Sequence, residues 1–299
     1  MKNFFLKLLL FACLLIITDF IIGAVLHQFY FKVKSNTLFK TNYAVRECKE
    51  DVLLFGASET AHHLISNKIK DSLGLSCYNL GIDGLNIIYQ YAVLQEVLKR
   101  YTPKIVVISA TTVSEDKSTV KSLLPYCRDY PDIKNIVLEN DPSQKNKLLL
   151  KSYPFNSLLL KIFQGVITPE SKTKGYLPLT GANPGMLKGE KPFKLDTSQT
   201  VINYFTEAIK KAKHAGCRVY IFQAPRYQVN NVEDQFFIKE ISEKYQAPFL
   251  NYLSDTAIVN HREYFKDGSH LNNTGAQLLT NKFIEDIKAD LKTNPIISN

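Results

Sequence analysis

Three residues of the 299-residue chain have the right types for acyl transfer, although they lie far apart in sequence: Ser58, Asp267 and His270. Ser58 stands in Gly56-Ala57-Ser58-Glu59-Thr60, directly after the apolar run Val52-Leu53-Leu54-Phe55. Asp267 and His270 stand three residues apart in Asp267-Gly268-Ser269-His270, just before a predicted helix. A serine hydroxyl is a poor nucleophile until a base removes its proton, and that base works best when a third group orients it. All three parts are present, one early and two late. If they act together, the whole domain must fold to assemble them.

Strands alternate with helices along the sequence. The strands are expected at 51–55, 76–78, 104–110 (KIVVISA), 218–223 (RVYIFQ) and 248–251. The helices are expected at 87–100, 198–214, 234–245 and 274–291. Gly216 supplies a left-handed cap to one helix. Asn272, Asn273 or Thr274 supplies the N-cap of the last. Apolar, β-branched strands separated by helical patterns predict a three-layer α/β/α domain on about five parallel strands. In such sheets ligands bind beyond the carboxyl ends of the strands. Ser58, Gly84 and the segment after Ala110 follow strand ends and should therefore share one rim. The stretch from about 114 to 195 breaks the alternation and reads as a helical and irregular insertion over that rim.

Residues 8–26 are apolar apart from Asp19, long enough to cross a bilayer as a helix. A cleaved signal peptide is the competing reading. Its apolar region should be shorter and end in a small-x-small site, which Gly23-Ala24-Val25 fits poorly. Asp19 is costly in lipid and should face a partner helix or lie off-centre. Lys32, Lys34, Lys40 and Arg46 follow the span, against Lys2 and Lys7 before it. That bias alone favours a cytoplasmic C-terminal flank, but long domains often translocate regardless. The expected organisation is an anchor at 1–35, a polar linker at 36–50, the α/β domain at 51–291 and a tail at 292–299.

The net charge of +9 comes from scattered lysines, with no aromatic-basic interleaving, which argues against nucleic-acid binding. A basic face suits anionic lipid or acidic glycan instead. Five cysteines carry no CxxC or Cys/His metal spacing, and scattered buried thiols are the simpler reading. Cys48 precedes the first strand and Cys77 opens the second, so a disulfide between them is expected if those strands are neighbours in an oxidising compartment. No cofactor or metal is expected.

Gly56-Ala57-Ser58 after a strand, Asn79 to Gly84 with Asn-x-x-x-x-Gly spacing, and Asp267-x-x-His270 together resemble the blocks of the SGNH hydrolases, also called the GDSL family. The resemblance covers roughly residues 51–291 without the insertion. It is to the membrane-anchored, glycan-modifying branch, which includes proteins similar to alginate O-acetyltransferases and to the D-alanylation protein DltD. It implies that Ser58 is the nucleophile, His270 the general base and Asp267 its orienting partner. The N–H groups of Ser58 and Gly84 would hold the oxyanion. Glycine lets backbone approach a bound carbonyl, and converging N–H donors are worth several kcal/mol in a transition state.

Two positions depart from the family pattern. Ala57 replaces an aspartate outside the triad. Thr111-Thr112-Val113-Ser114 stands where Gly-x-Asn-Asp is expected, so the asparagine donor of the oxyanion hole is missing. Thr111, Thr112 or Ser114 would have to substitute. Asn79, His62 and Arg226 are expected at the substrate: Arg226 at the rim to hold an anionic group, or else in a surface salt bridge. His62 and His63 either line the pocket or sit on a helix surface. Two function classes follow. One is an anchored, extracytoplasmic serine esterase or O-acyltransferase acting on acylated cell-envelope glycan. The other is a non-catalytic domain that binds glycan or assists a membrane acyltransferase.

Overall fold

The computed structural model describes residues 1–112, 117–182, 185, 198–228 and 235–295. In chain order the helices are α1 (Lys2–Tyr30), α2 (Asn36–Arg46), α3 (Ser58–His63), α4 (Ser66–Leu73), α5 (Ile87–Arg100), α6 (Pro131–Asn140), α7 (Gln144–Lys147), α8 (Leu159–Ile167), α9 (Gln199–His214), α10 (Phe236–Lys244), α11 (Thr256–Val259) and α12 (Asn273–Thr293). The strands are β1 (Val52–Phe55), β2 (Cys77–Asn79), β3 (Ile105–Ser109), β4 (Arg218–Gln223) and β5 (Phe249–Asn251). Two compact units form. One comprises residues 1–43 and 120–170; the other comprises 44–119 and 171–299.

In the second unit all five strands are parallel, in the order β2-β1-β3-β4-β5. Every residue of β1 and β3 is buried, so both faces of the sheet are covered. This is why those strands read as unbroken apolar runs instead of alternating ones. On one face Val52, Leu54, Val107 and Phe222 pack with Leu279, Phe283 and Ile287 of α12. On the other, α9 packs against β4 and α5. The result is the expected three-layer α/β/α architecture. The register Phe55↔Ile108 and Ser109↔Phe222 brings the carboxyl ends of β1, β3 and β4 to one rim. The order reverses direction around β1, which is where doubly wound sheets open a crevice.

Where a polar linker is expected over 36–50, the structure has α2. Asn36 starts it by accepting the Leu38 N–H at 2.8 Å. In the first unit Asn42 is buried, donating to the Tyr30 carbonyl (2.7 Å) and accepting from the Tyr126 hydroxyl (2.7 Å). Asn42 is thus paired outside its own helix, which no local pattern reveals. α1 is 29 residues long and apolar enough to cross a bilayer.

The expected Cys48–Cys77 disulfide is absent. The strands are neighbours, and Cys77 pairs with Val52, but all five cysteines are free. Cys48 lies four residues before β1, where its thiol meets the Ala44 carbonyl (3.1 Å) and the Arg100 guanidinium (3.3 Å). Adjacent strands therefore do not bring the two sulfurs together.

Candidate active site

β1 ends at Phe55, and the chain turns sharply through Gly56 and Ala57 into α3, whose first residue is Ser58. A side chain at Gly56 would collide with Thr60 of the first helical turn and crowd Ser109 of β3. The turn is thus too tight for anything but glycine.

His270 arrives from a short loop closed against itself. Phe265 bridges Leu271, and both side chains are buried in the core. Lys266 donates its N–H to the His270 carbonyl at 2.7 Å. Asn272 then caps α12, accepting from Thr274 (3.0 Å) and Gly275 (3.1 Å). Within the loop, Asp267 Oδ1 accepts the backbone N–H groups of Ser269 and His270 at 3.0 and 2.9 Å.

His270 Nδ1 lies 2.9 and 3.0 Å from the two carboxylate oxygens of Asp267, and its Nε2 lies 2.7 Å from Ser58 Oγ. A carboxylate accepts only, so Nδ1 carries the proton and Nε2 presents its lone pair to the serine hydroxyl. Burial alone would raise the Asp267 carboxyl. The hydrogen bond and charge of His270, with the two backbone N–H groups, outweigh it and hold the group below the usual carboxylate range. Three residues separated by up to 212 positions in sequence thus form one hydrogen-bonded line.

Gly84 sits in the left-handed region at φ 72°, with open space where a side chain would project. Its loop docks on the serine turn: Leu80 donates to the Leu54 carbonyl (2.9 Å) and Ile82 to that of Gly56 (3.1 Å). Thr111 follows β3, and its hydroxyl is 2.5 Å from that of Ser109. The Thr112 side chain and Ser114 lie outside the described residues.

Asn79 does not reach the substrate side. It is fully buried, its amide donates to the carbonyls of Thr60 (2.6 Å) and Leu64 (2.8 Å), and its oxygen accepts from Gly81 (2.9 Å). It fastens the Gly84 loop to α3. Arg226 does reach the rim, but its guanidinium is committed to Glu59 Oε1 at 2.7 and 3.0 Å. Glu59 is buried, so this is an internal ion pair beside the nucleophile and not a surface salt bridge.

His62 packs edge-on against His270, ring centres 5.6 Å apart. Its Nδ1 donates to the Leu177 carbonyl (2.7 Å), and its Nε2 faces the Asp83 carboxylate at 3.1 Å. It links the Gly84 loop to the base. His63 is fully buried, so it does not sit on an exposed helix surface. Its Nε2 accepts the N–H of Leu271 at 2.9 Å, and its carbonyl accepts the Thr280 hydroxyl at 3.0 Å. Burial, then the charges of His270, His62 and Arg226, hold it well below the ordinary histidine range, so it is neutral. Glu59 and Asp83 are the parts of this site that sequence reasoning did not assign. Their position beside Ser58 or inside the Asn79–Gly84 loop is the only signal.

No family model and no curated protein matches the chain. Among solved structures it is similar to the psychrotrophic esterase EstA from Pseudoalteromonas sp., at 14% identity and TM-score 0.44, covering 81% of this chain and 99% of that one. It is also similar to a putative SGNH hydrolase from Slackia heliotrinireducens, at 12% and 0.41, covering 79% and 97%. A third is the acetyl xylan esterase AlAXEase, at 13% and 0.42, covering 79% and 98%.

Proposed function

We propose that the chain is a serine esterase or O-acyltransferase whose nucleophile is Ser58. The single observation that carries this reading is the line Asp267–His270–Ser58, with 2.7 Å between the imidazole and the hydroxyl. A serine that merely capped a helix would not need an oriented base.

In the proposed reaction Ser58 Oγ attacks an ester carbonyl as His270 Nε2 takes the hydroxyl proton. Asp267 stabilises the resulting imidazolium and keeps the ring in the productive orientation. The N–H groups of Ser58 and Gly84 receive the oxyanion, with the Thr111 hydroxyl as a third donor in place of the missing asparagine. The tetrahedral adduct collapses, the C–O bond to the leaving alcohol breaks, and that alcohol takes the proton from His270. Water or a sugar hydroxyl then attacks the acyl-serine, giving its proton to His270, which passes it to Ser58 Oγ as that oxygen leaves. No proton or electron pair is left over at the end of the cycle.

The substrate class we infer is an acyl ester of a cell-envelope glycan, with α1 as an uncleaved membrane anchor and the α/β unit on the extracytoplasmic side. The apolar length of α1, the basic net charge and the resemblance of the three sequence blocks support this assignment. One observation favours a second reading, a non-catalytic glycan-binding or acyltransferase-accessory domain. At the end of β3 the Thr111 hydroxyl is already engaged by Ser109.

A fluorophosphonate probe separates the two. Under the catalytic reading the full-length protein is labelled covalently, Ser58→Ala is not, and the same substitution abolishes hydrolysis of a small aryl acetate. Absence of labelling in a folded wild-type chain would leave the accessory reading standing.

A further inference from the structure

The unit formed by residues 1–43 and 120–170 holds a stripe along α1 at helical spacing: Asp19, Gly23, His27 and Tyr30. Each of them is met by the 120–170 segment. The Asp19 carboxylate accepts the backbone N–H groups of Lys151 (2.7 Å) and Ser152 (3.1 Å) and the Ser152 hydroxyl (2.6 Å). Gly23 packs so tightly on the Lys151 backbone that a side chain there would collide with it. His27 meets the Asp129 carboxylate at 2.7 Å, and the Tyr30 hydroxyl donates to that of Tyr126 at 3.0 Å. Gly165 of α8 closes against Val33 and Asn36.

Asp19 lies seven residues inside the end of the apolar stretch, about 10 Å along the axis at 1.5 Å per residue. Whatever binds Asp19 therefore shares that depth. The segment doing so carries Leu149 and Leu150, exposed by 74% and 56%. Downstream, α8 buries Ile162 and Gly165 but exposes Leu159, Leu160, Phe163 and Ile167 by 52–68%. Six large apolar side chains left in water beside a membrane-length helix are unlike an ordinary soluble surface. Non-helical backbone is tolerated in hydrocarbon only when its polar groups are satisfied. Here the N–H groups of the turn have partners: Leu149 and Leu150 donate to the carbonyls of Asn146 and Lys147, and Lys151 and Ser152 donate to Asp19. Lys145, Lys147 and Lys161 flank the apolar patch, as suits side chains reaching for lipid headgroups.

We propose that residues 148–167 form a re-entrant element that enters the same bilayer leaflet as the C-terminal half of α1, with acyl chains covering Leu149, Leu150 and the apolar face of α8. Asp19 is then the residue that carries this element into lipid, neutralising otherwise unpaired N–H groups. The proposal rests on the reading of α1 as a membrane span.

The sequence contains no tryptophan, so a single introduced one is a unique probe in the full chain. Ile16→Trp on α1, Leu150→Trp, Phe163→Trp and Phe236→Trp on α10 would each be reconstituted in phosphatidylcholine–phosphatidylglycerol vesicles, with and without bromine on the acyl chains. All four positions are exposed, so tryptophan fits without repacking. The proposal expects the probes at 16, 150 and 163 to lose most of their emission to brominated lipid and the probe at 236 to keep it. Quenching at 16 without quenching at 150 and 163 overturns the re-entrant element but leaves the anchor. No quenching at 16 overturns both. Blue-shifted emission at 150 and 163 that bromine does not quench, and that shifts red on dilution into excess lipid, means a second copy covers the face and also overturns the proposal.

Discussion

His270 can serve as base only because its two nitrogens face unlike partners. Nδ1 faces an acceptor, Asp267, so Nε2 is left free to accept from Ser58. Groups arranged in one line should fail as one unit. Ser58→Ala and His270→Ala are each expected to lower ester turnover by about 10³–10⁶, with the double variant little worse than either. Steady-state kinetics on the three variants checks this, and multiplicative losses would contradict it. His63 makes a separate, structural contribution. Its folded pKa is depressed, while the unfolded value lies near ~6.5. Below that pH the unfolded chain binds a proton that the folded chain does not, so stability is full above ~6.5 and falls as pH drops toward the folded value. The slope is at most about 1.4 kcal/mol per pH unit for one group. Urea unfolding of the wild type between pH 5 and 7 should show this loss, and His63→Gln should flatten it. An unchanged slope in the variant would mean that other groups carry the pH dependence.

At the scale of elements, Ser58 and His270 are held by helix starts and strand ends. Asn272 caps α12 two residues after His270, and its amide also donates to the Glu263 carbonyl at 2.7 Å. Asn272→Ala is expected to cost about 0.5–2 kcal/mol of stability, the usual range for a lost cap. Fluorophosphonate labelling should slow by more than that cost implies, because the loop carrying Asp267 and His270 ends at this cap. A melting curve and a labelling time course on the same sample separate the two effects. Equal labelling rates would show that the loop holds without its cap. The elements that build this rim were legible in sequence for a physical reason. Buried parallel strands such as VLLF and IVVIS are apolar on both faces, and an Asn before a helical pattern is a strong cap. α2 was not legible, because its buried Asn42 is paired outside the helix, with the Tyr30 carbonyl and the Tyr126 hydroxyl. Asn79 and Arg226 were assigned to the substrate on position alone. Only the fold shows that Asn79 bonds the carbonyls of Thr60 and Leu64 and that Arg226 pairs with Glu59. The Ser58–Asp267–His270 set was legible because its residue types and its places at strand and helix ends reinforce one another.

For the whole molecule, the proposed anchoring by α1 makes the side of the membrane on which the α/β unit works a testable quantity. Lysines after the span oppose the proposed extracytoplasmic placement, while the inferred glycan substrate requires it. The cysteines offer a clean way to decide. Cys48, Cys77, Cys127 and Cys217 are buried, and Cys13 lies within the apolar helix. Burial raises all four buried thiols, those of Cys127 and Cys217 to about 12, so little thiolate exists at neutral pH. Since the thiolate is the reactive form, these four thiols should be nearly inert to maleimide, and replacing the exposed Cys13 with alanine removes the fifth. Phe236→Cys places one exposed thiol on α10. In a Cys13→Ala background the proposed topology expects a membrane-impermeant maleimide to label this variant in intact cells as fully as in lysed ones, with negligible labelling of the chain without Phe236→Cys. Labelling that appears only after lysis would put the Ser58 site in the cytoplasm. It would exclude an envelope glycan as substrate while leaving the hydrolase chemistry of Ser58, His270 and Asp267 untouched, because the relay is built within the α/β unit and needs no particular side of the bilayer.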